Sequence, residues 1–361
     1  MSETDRSVAG ETWFQDRALK RIFEMLNTDG GEVRVVGGAV RNALMGEPVG
    51  DIDMATTHTP DAVTARAQAA GIKLVPTGID HGTVTLVVDG RGFEVTTLRE
   101  DVETTGRHAQ VAFGTDWQVD AERRDFTINA LYADSPGRVL DPVGGLADIE
   151  SRTIRFIGEA ERRIAEDHLR ILRFFRFLAR FGDSPDPASL DACTARANDL
   201  MALSRERIAD ELLKLVVAKD AVRVIALMLE RGIFRPVIPE IVAVERLARV
   251  AALEAEAGLE PDPIRRLAAL LPADAAVAES VGARLKLSNV QRKRLIAATD
   301  ADLFGAPRAA AYRLGRDEAI DRLFLFDWPT AVADARDLTG WDIPRLPISG
   351  GALIQRGLSK G

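Results

Sequence analysis

The sequence predicts an α+β protein with a small mixed-sheet head followed by an all-helical neck, body and tail. Three observations carry that prediction. Between residues 33 and 97, short strand-like apolar runs alternate with Gly turns and brief helical patterns. From residue 162 onward, apolar residues recur at helical spacing in segment after segment. The sheet-forming runs stop near residue 150, so strands and helices are segregated along the chain. Boundaries are expected near residues 150 and 235, dividing the chain into 1–150, 151–235 and 236–361.

The elements are taken in chain order. Trp13, Ala18, Leu19, Ile22, Phe23 and Leu26 share one face of an amphipathic lead-in helix. Val33-Arg34-Val35-Val36 reads as a strand, Gly37-Gly38 as a turn and Ala39 to Met45 as a short helix. A second strand is expected to carry Asp51 and Asp53. Thr59 caps a helix with Pro60 in its first turn, and Gly71 ends it. Ile72–Val75, Thr83–Val88 and Phe93–Thr97 are strands, the last two joined by the hairpin signal Asp89-Gly90. Residues 99–122 are polar and read as a loop beside the site. A single helical pattern is expected from Arg162 to Arg180, then helices over 187–200, 204–218 and 220–231, a stop at Gly232–Pro236, and further helices over 263–271, 278–287 and 290–299.

Composition bounds the function classes. A chain of 361 residues, 46% hydrophobic and 28% charged, is long enough for a sizeable core and two or three domains. The single cysteine, Cys193, excludes an internal disulfide and fits a reducing, cytoplasmic setting, where it reads as a small core residue. No apolar run reaches membrane-spanning length, and residues 1–15 lack a signal-peptide core, so neither membrane nor export is expected. The net charge of −8 decides nothing about nucleic acid, because arginines cluster between Arg152 and Arg180. Four histidines, none followed by an aspartate, give no sign of zinc or of a metal phosphohydrolase.

The chemistry concentrates in three stretches. Asp51 and Asp53, two apart on a strand, present two carboxylates to one side. Close like charges are tolerated best with a divalent cation between them, and hard oxygen ligands suit Mg²⁺. Gly37-Gly38 admits a ligand close to the backbone, the helix start after Gly38 offers N–H groups to a phosphate, and Arg41 adds a positive charge. Glu94, a third acidic residue on the same sheet, joins the metal site, or polarises an attacking hydroxyl, or is a solvated strand glutamate. In Arg123-Arg124-Asp125-Phe126-Thr127-Ile128-Asn129-Ala130-Leu131, adjacent arginines before an apolar helix suit a triphosphate clamp, with Asp125 capping or orienting them. Asp167, Arg170, Arg173 and Arg176, spaced by three, form a polar stripe in which Asp167 and Arg170 could simply pair with each other.

Together these stretches resemble the nucleotidyltransferase superfamily, in its bacterial class II CCA-adding tRNA nucleotidyltransferase and poly(A) polymerase branch. Gly37-Gly38…Val40-Arg41 followed by Asp51-x-Asp53 is similar to that branch's first motif, with Asn42 where the family has Asp; that position reads as helix support. RRDFTINAL over 123–131 resembles the second motif, Asp141–Ile149 a family segment ending the head, and Glu166-Asp167-His168-Leu169-Arg170 the E-D-x-x-R motif. The likeness covers residues 33–180 well and is loose thereafter. It implies that Asp51 and Asp53 are catalytic and hold Mg²⁺ and that Gly38, Arg41 and Arg124 bind the triphosphate; Glu94 stands as a third catalytic candidate from its place on the sheet. It also implies that Asp167 and Arg170 read the base, with Arg173 and Arg176 as further nucleotide contacts. Cytosine and adenine both carry an exocyclic amine that a carboxylate accepts from, whereas uracil and guanine present a carbonyl there. An Asp–Arg pair on one helix thus selects C and A without a template.

The activity implied is addition of C, C and A to the tRNA 3′ end from CTP and ATP, with the head at 1–150, a base-reading and RNA-binding neck at 151–235 and a helical body and tail beyond. No obligate protein partner is expected. A poly(A) polymerase, an A-only or CC-only enzyme, and an inactive RNA-binding protein are the alternatives. The acidic balance leans away from the first, and the pairing of Asp51/Asp53 with Asp167/Arg170 argues against the last. Ile348–Leu358 resembles a segment that continues into a further helix in the family, so a short or trimmed tail is expected.

Overall fold

The structure is a computed structural model that describes residues 6–79, 82–101, 111–344 and 357. The expected tail segment at 348–358 and residues 102–110 of the polar stretch therefore lie outside the described residues, Gly357 excepted. The chain clusters into two compact units, Met1–Arg196 and Ala197–Gly361, where the sequence places boundaries at 150 and 235.

The first unit runs α1 (Arg17–Leu26), β1 (Val33–Val36), α2 (Gly38–Met45), β2 (Asp53–Thr56), α3 (Pro60–Ala69), β3 (Lys73–Gly78), β4 (Thr83–Val88), β5 (Arg91–Thr97), β6 (Arg99–Asp101), β7 (Val111–Phe113) and α4 (Trp117–Glu122). It continues with β8 (Tyr132–Ala133), β9 (Val139–Leu140), α5 (Gly145–Glu150), β10 (Thr153–Ile154), α6 (Ala160–Glu166), α7 (Arg170–Phe181), β11 (Ser184–Pro185) and α8 (Pro187–Ala195). Seven strands form one sheet in the order β3-β4-β5-β2-β1-β8-β9. Within it β2 and β5 are parallel, and the other pairs are antiparallel. Asp89 and Gly90 both take positive φ (50° and 79°), the turn that matches the twist of the β4–β5 hairpin.

Val36, Ala55, Leu98, Ala121, Ala130, Tyr132 and Ile157 form one core cluster, with Trp117, Leu140 and Val143 packed against it. Residues past 150 are tied into this unit. Phe126 and Phe156 form a β-bridge, and Ile157 N–H donates to the Asp125 carbonyl at 3.1 Å. The rings of Phe126 and Phe156 are 5.0 Å apart and those of Phe156 and Phe174 5.6 Å. Through these contacts the RRDFTIN segment is held by Phe156, Ile157 and the α7 aromatics within the first unit. Cys193, on α8, is fully buried, as its core reading expects.

Four expectations are corrected. Asp51 precedes β2, whose first residue is Asp53. The 99–122 stretch is not all loop, since β6, β7 and α4 fall within it. The apolar helix expected after Asp125 is only a 3₁₀ turn, Thr127–Asn129, before β8. The helix expected from Arg162 to Arg180 is two, α6 and α7. Asp167 between them is extended (φ −153°, ψ 107°), and its carboxylate accepts from Leu169 N–H at 3.1 Å, turning the chain.

The second unit is helical among its described residues: α9 (Arg205–Val216), α10 (Ala221–Glu230), α11 (Glu245–Ala257), α12 (Pro263–Leu270), α13 (Ala275–Arg284), α14 (Asn289–Ala297), α15 (Pro307–Leu314), α16 (Arg316–Leu325) and α17 (Ala331–Gly340). Its interior holds a charged knot. Arg265 donates to Glu254 (2.9 Å) and Asp321 (2.8 Å), and Arg266 donates to Glu254 (2.7 Å).

Candidate active site

The sheet order brings the candidate carboxylates together. Because β2 pairs with β5 in parallel, Asp53 is the register partner of Glu94. Side chains at one register position of neighbouring strands emerge on the same face. Burial, then the Glu94 charge, then that of Asp51 raise the Asp53 carboxyl above its ordinary value, and Arg124 pulls it back. All four residues therefore share one electrostatic neighbourhood. Among the described residues no group of three or more His, Cys, Asp or Glu forms a cage able to hold a metal ion. The mutually repelling oxygens of Asp51, Asp53 and Glu94 would supply only part of an Mg²⁺ shell. That ion keeps waters and takes phosphate oxygens as its remaining ligands.

The strand–turn–helix preceding this cluster has the form of an anion cradle. Gly37 sits at φ 67°, ψ −112°, a conformation that suits glycine, and its N–H donates to the Leu131 carbonyl at 3.0 Å. The helix α2 starts at Gly38 with no side-chain cap, leaving its N-terminal N–H groups for an anion. Arg41 is placed differently from the cradle role expected of it. It is 7% exposed, and its Nε and Nη2 donate to Asn42 Oδ1 at 3.1 and 2.8 Å. Its Nη1 donates to Asn129 Oδ1, and its guanidinium lies 4.1 Å from the Phe181 ring centroid. Burial, then Arg180, bring its pKa down to about 10, against the opposing pull of Asp125. Asn42 accepts from Arg41 and donates to the Pro48 carbonyl at 2.8 Å, so it supports the helix and the loop after it.

The tandem arginines are oriented by Asp120, not by Asp125. Asp120, 1% exposed on α4, accepts from Arg123 Nε (2.9 Å), from Arg124 Nη2 (2.9 Å) and from the Tyr132 hydroxyl (2.8 Å). Burial opposes its charge, but Arg124 and Arg123 together hold its carboxyl below the usual value. Asp125 turns the other way. It accepts from its neighbour Phe126 N–H, from Asn129 Nδ2 at 3.0 Å and from Arg173 Nε at 2.9 Å.

The E-D-x-x-R motif is broken across two helices. Arg170, the first residue of α7, pairs with Glu166 at 2.5 Å and donates to the carbonyls of Arg163 (2.8 Å) and Arg123 (3.4 Å). The simple Asp167–Arg170 pair is thus replaced by a Glu166–Arg170 pair, with Asp167 in the turn just before. Arg176 lies over the Phe177 ring at 4.8 Å. Sequence reading missed Asp120, Asn129, Tyr132 and Arg99. Asp120 was legible from its spacing, three and four residues before Arg123 and Arg124 on a helix. Arg99, whose guanidinium feels Arg123 and Asp120, and Asn129 carry no such signal.

An uncapped helix start after a Gly-Gly turn, followed by carboxylates in the field of Arg124, has the features of a nucleotidyltransferase. Residues 33–155 match the family described as Poly A polymerase head domain, and residues 184–244 the one described as Probable RNA and SrmB- binding site of polymerase A. The chain is 36% identical over 360 residues to the human protein "CCA tRNA nucleotidyltransferase 1, mitochondrial", covering 95% of this chain and 82% of that one. It is 41% identical over 214 residues to the CCA-adding enzyme of Geobacillus thermodenitrificans, covering 59% of this chain and 52% of that one. Among solved structures, the Bacillus stearothermophilus CCA-adding enzyme in complex with CTP superposes with a TM-score of 0.76 at 28% identity, covering 96% and 88% of the two chains. The chain belongs to the CCA tRNA nucleotidyltransferase family. Its relatives include vertebrate mitochondrial as well as bacterial proteins, so the likeness is broader than the bacterial branch expected from sequence.

Proposed function

We infer that this chain adds C, C and A in turn to the 3′ end of tRNA, using CTP and ATP without a nucleic-acid template. The observation that carries the reading is the Asp53–Glu94 register pair, with Asp51 and Arg124 in its field, one short helix away from the Gly37-Gly38 turn. In this reading Asp51 and Asp53 hold Mg²⁺, with Glu94 beside them. When bound, the ion supplies charge compensation at the α-phosphate and acidifies the attacking hydroxyl. The chain's own residues do the rest. The N-terminus of α2 at Gly38 receives phosphate oxygens. Arg124, held by Asp120, offsets negative charge as pyrophosphate leaves. Glu94 orients the 3′-hydroxyl or accepts its proton, which separates it from the two metal-holding aspartates in role. Asp167 and Arg170 read the exocyclic amine and adjacent ring nitrogen shared by C and A, and Arg173 and Arg176 support that pocket.

A tRNA substrate, with the head at 1–150, the base-reading neck at 151–235 and a tRNA-holding body beyond, completes the proposal. One buried cysteine fits work in the cytoplasm, and among the described residues no helix is long and apolar enough to cross a membrane. The test is incorporation of each labelled nucleotide, with Mg²⁺, onto tRNA ending at the discriminator base, at C and at CC. The reading requires two C and then one A, lost in Asp53→Ala. Addition of A alone to the CC end, or of long A-runs on any RNA, would replace it with an A-adding enzyme or a poly(A) polymerase.

A further inference from the structure

Arg41 has its polar atoms turned inward. Its three donor nitrogens are committed to Asn42 and Asn129, and it is nearly solvent-free. A guanidinium with its donors so used is poorly placed to grip a phosphate as well. What it does touch is α7, by two routes. Directly, its guanidinium carbon lies over Phe181 at 4.1 Å from the ring centroid and over Phe177 at 5.3 Å. Indirectly, Asn129 accepts from Arg41 through Oδ1 and donates through Nδ2 to Asp125 (3.0 Å), which in turn accepts from Arg173 (2.9 Å). Arg173, Phe177 and Phe181 are spaced by four, so both routes end on one face of α7. Asn129 suits the middle position because its amide is acceptor on one side and donor on the other.

We propose that Arg41 and Asn129 are positioning residues that lock α2, the phosphate cradle, to α7, the helix that begins with base-reading Arg170. Base and triphosphate are thereby gauged by one rigid unit, and a nucleotide is accepted only when both ends fit at once. The proposal rests on the nucleotidyl-transfer reading above and reassigns Arg41 within it. Lysine cannot replace Arg41 here, since it can neither bridge two amides in a fixed fork nor lie flat on a ring.

The test compares Asn129→Ala and Arg41→Lys with the unaltered chain, after confirming a cooperative melting transition for each. Asn129→Ser is the substitute if Asn129→Ala does not fold. Two quantities are measured: Mg²⁺-dependent binding of tripolyphosphate, and incorporation of UTP and GTP relative to CTP and ATP. We expect tripolyphosphate affinity within about twofold of the unaltered chain, with base discrimination falling about tenfold or more. A merely structural loss would lower all four nucleotides alike and leave their ratio unmoved, and that result overturns the proposal. So does the opposite split, tripolyphosphate affinity lost with base choice intact, which would make Arg41 a direct phosphate ligand. An unaltered chain that itself shows no preference among the four nucleotides would sink the functional reading, and the coupling with it.

Discussion

Asp53 and Glu94 face the same side of the sheet because β2 and β5 run parallel and place them at one register position. They are far apart in sequence, yet Glu94 is, after burial, the strongest influence holding the Asp53 carboxyl above its ordinary value. The pair makes the acid limb of the pH–rate profile a report on the neighbouring strand. In the proposed reading Mg²⁺ binds only ionised Asp53, so at sub-saturating Mg²⁺ activity falls as pH drops through its raised value. Glu94→Gln removes the repulsion and is expected to move that limb to lower pH, besides lowering the rate. Rate against pH for both chains, at saturating nucleotide, checks this.

Asp53→Asn is expected to abolish incorporation, a drop of about a thousandfold or more, while making the metal-free protein slightly more stable. The sign comes from the raised value: stability linked to Asp53 is fully present below the unfolded-state pKa and lost as pH rises through the folded one. At neutral pH the wild-type carboxylate is a net cost, kept small by solvent screening. Removing it should raise the melting temperature by about one or two degrees, and added Mg²⁺ should then raise it less than in wild type. Scanning calorimetry with and without Mg²⁺ decides.

Asp120→Ala is expected to be among the most damaging single changes in the first unit. It leaves Arg123, Arg124 and the buried Tyr132 hydroxyl without their shared acceptor, and removing one partner from such a buried set costs about 3–5 kcal/mol. Asp120's value is depressed, so its contribution is present above the unfolded-state carboxylate pKa and fades as pH falls through the folded one. Denaturant melts at pH 7 and at about pH 2 should therefore differ more for wild type than for Asp120→Asn.

Gly145→Ala tests how closely the site is packed from behind. A Cβ there would meet the Thr127 carbonyl oxygen at 2.3 Å, a backbone atom of the turn that carries Asn129. The expected cost is about 1–3 kcal/mol, with a rise in KM for both CTP and ATP because the turn must shift. A variant that melts and turns over like wild type would show that the turn is not held there.

Much of the head was legible because its signals are local. The Val33–Val36 strand, the Thr59 cap with Pro60 and the Asp89-Gly90 hairpin each depend on a few adjacent residues. The Asp53–Glu94 meeting was not, since it needs the strand order, which periodicity does not contain. The Arg162–Arg180 stretch misled for a physical reason. Apolar spacing continues unbroken through Asp167, but that side chain bonds the Leu169 N–H and offers the backbone a turn instead of a helix. Residue identity likewise showed Arg123-Arg124-Asp125 as a unit, although its charges pair outward, to Asp120 on one side and to Arg173 on the other.

Cys193 lies fully inside the first unit, on α8, and burial pushes its thiol well above the ordinary value. The folded chain is therefore chemically silent toward alkylating reagents and mild oxidants. Because no other thiol exists in the 361 residues, any labelling counts molecules in which α8 has come away, so the rate of modification is a built-in clock for opening of the first unit.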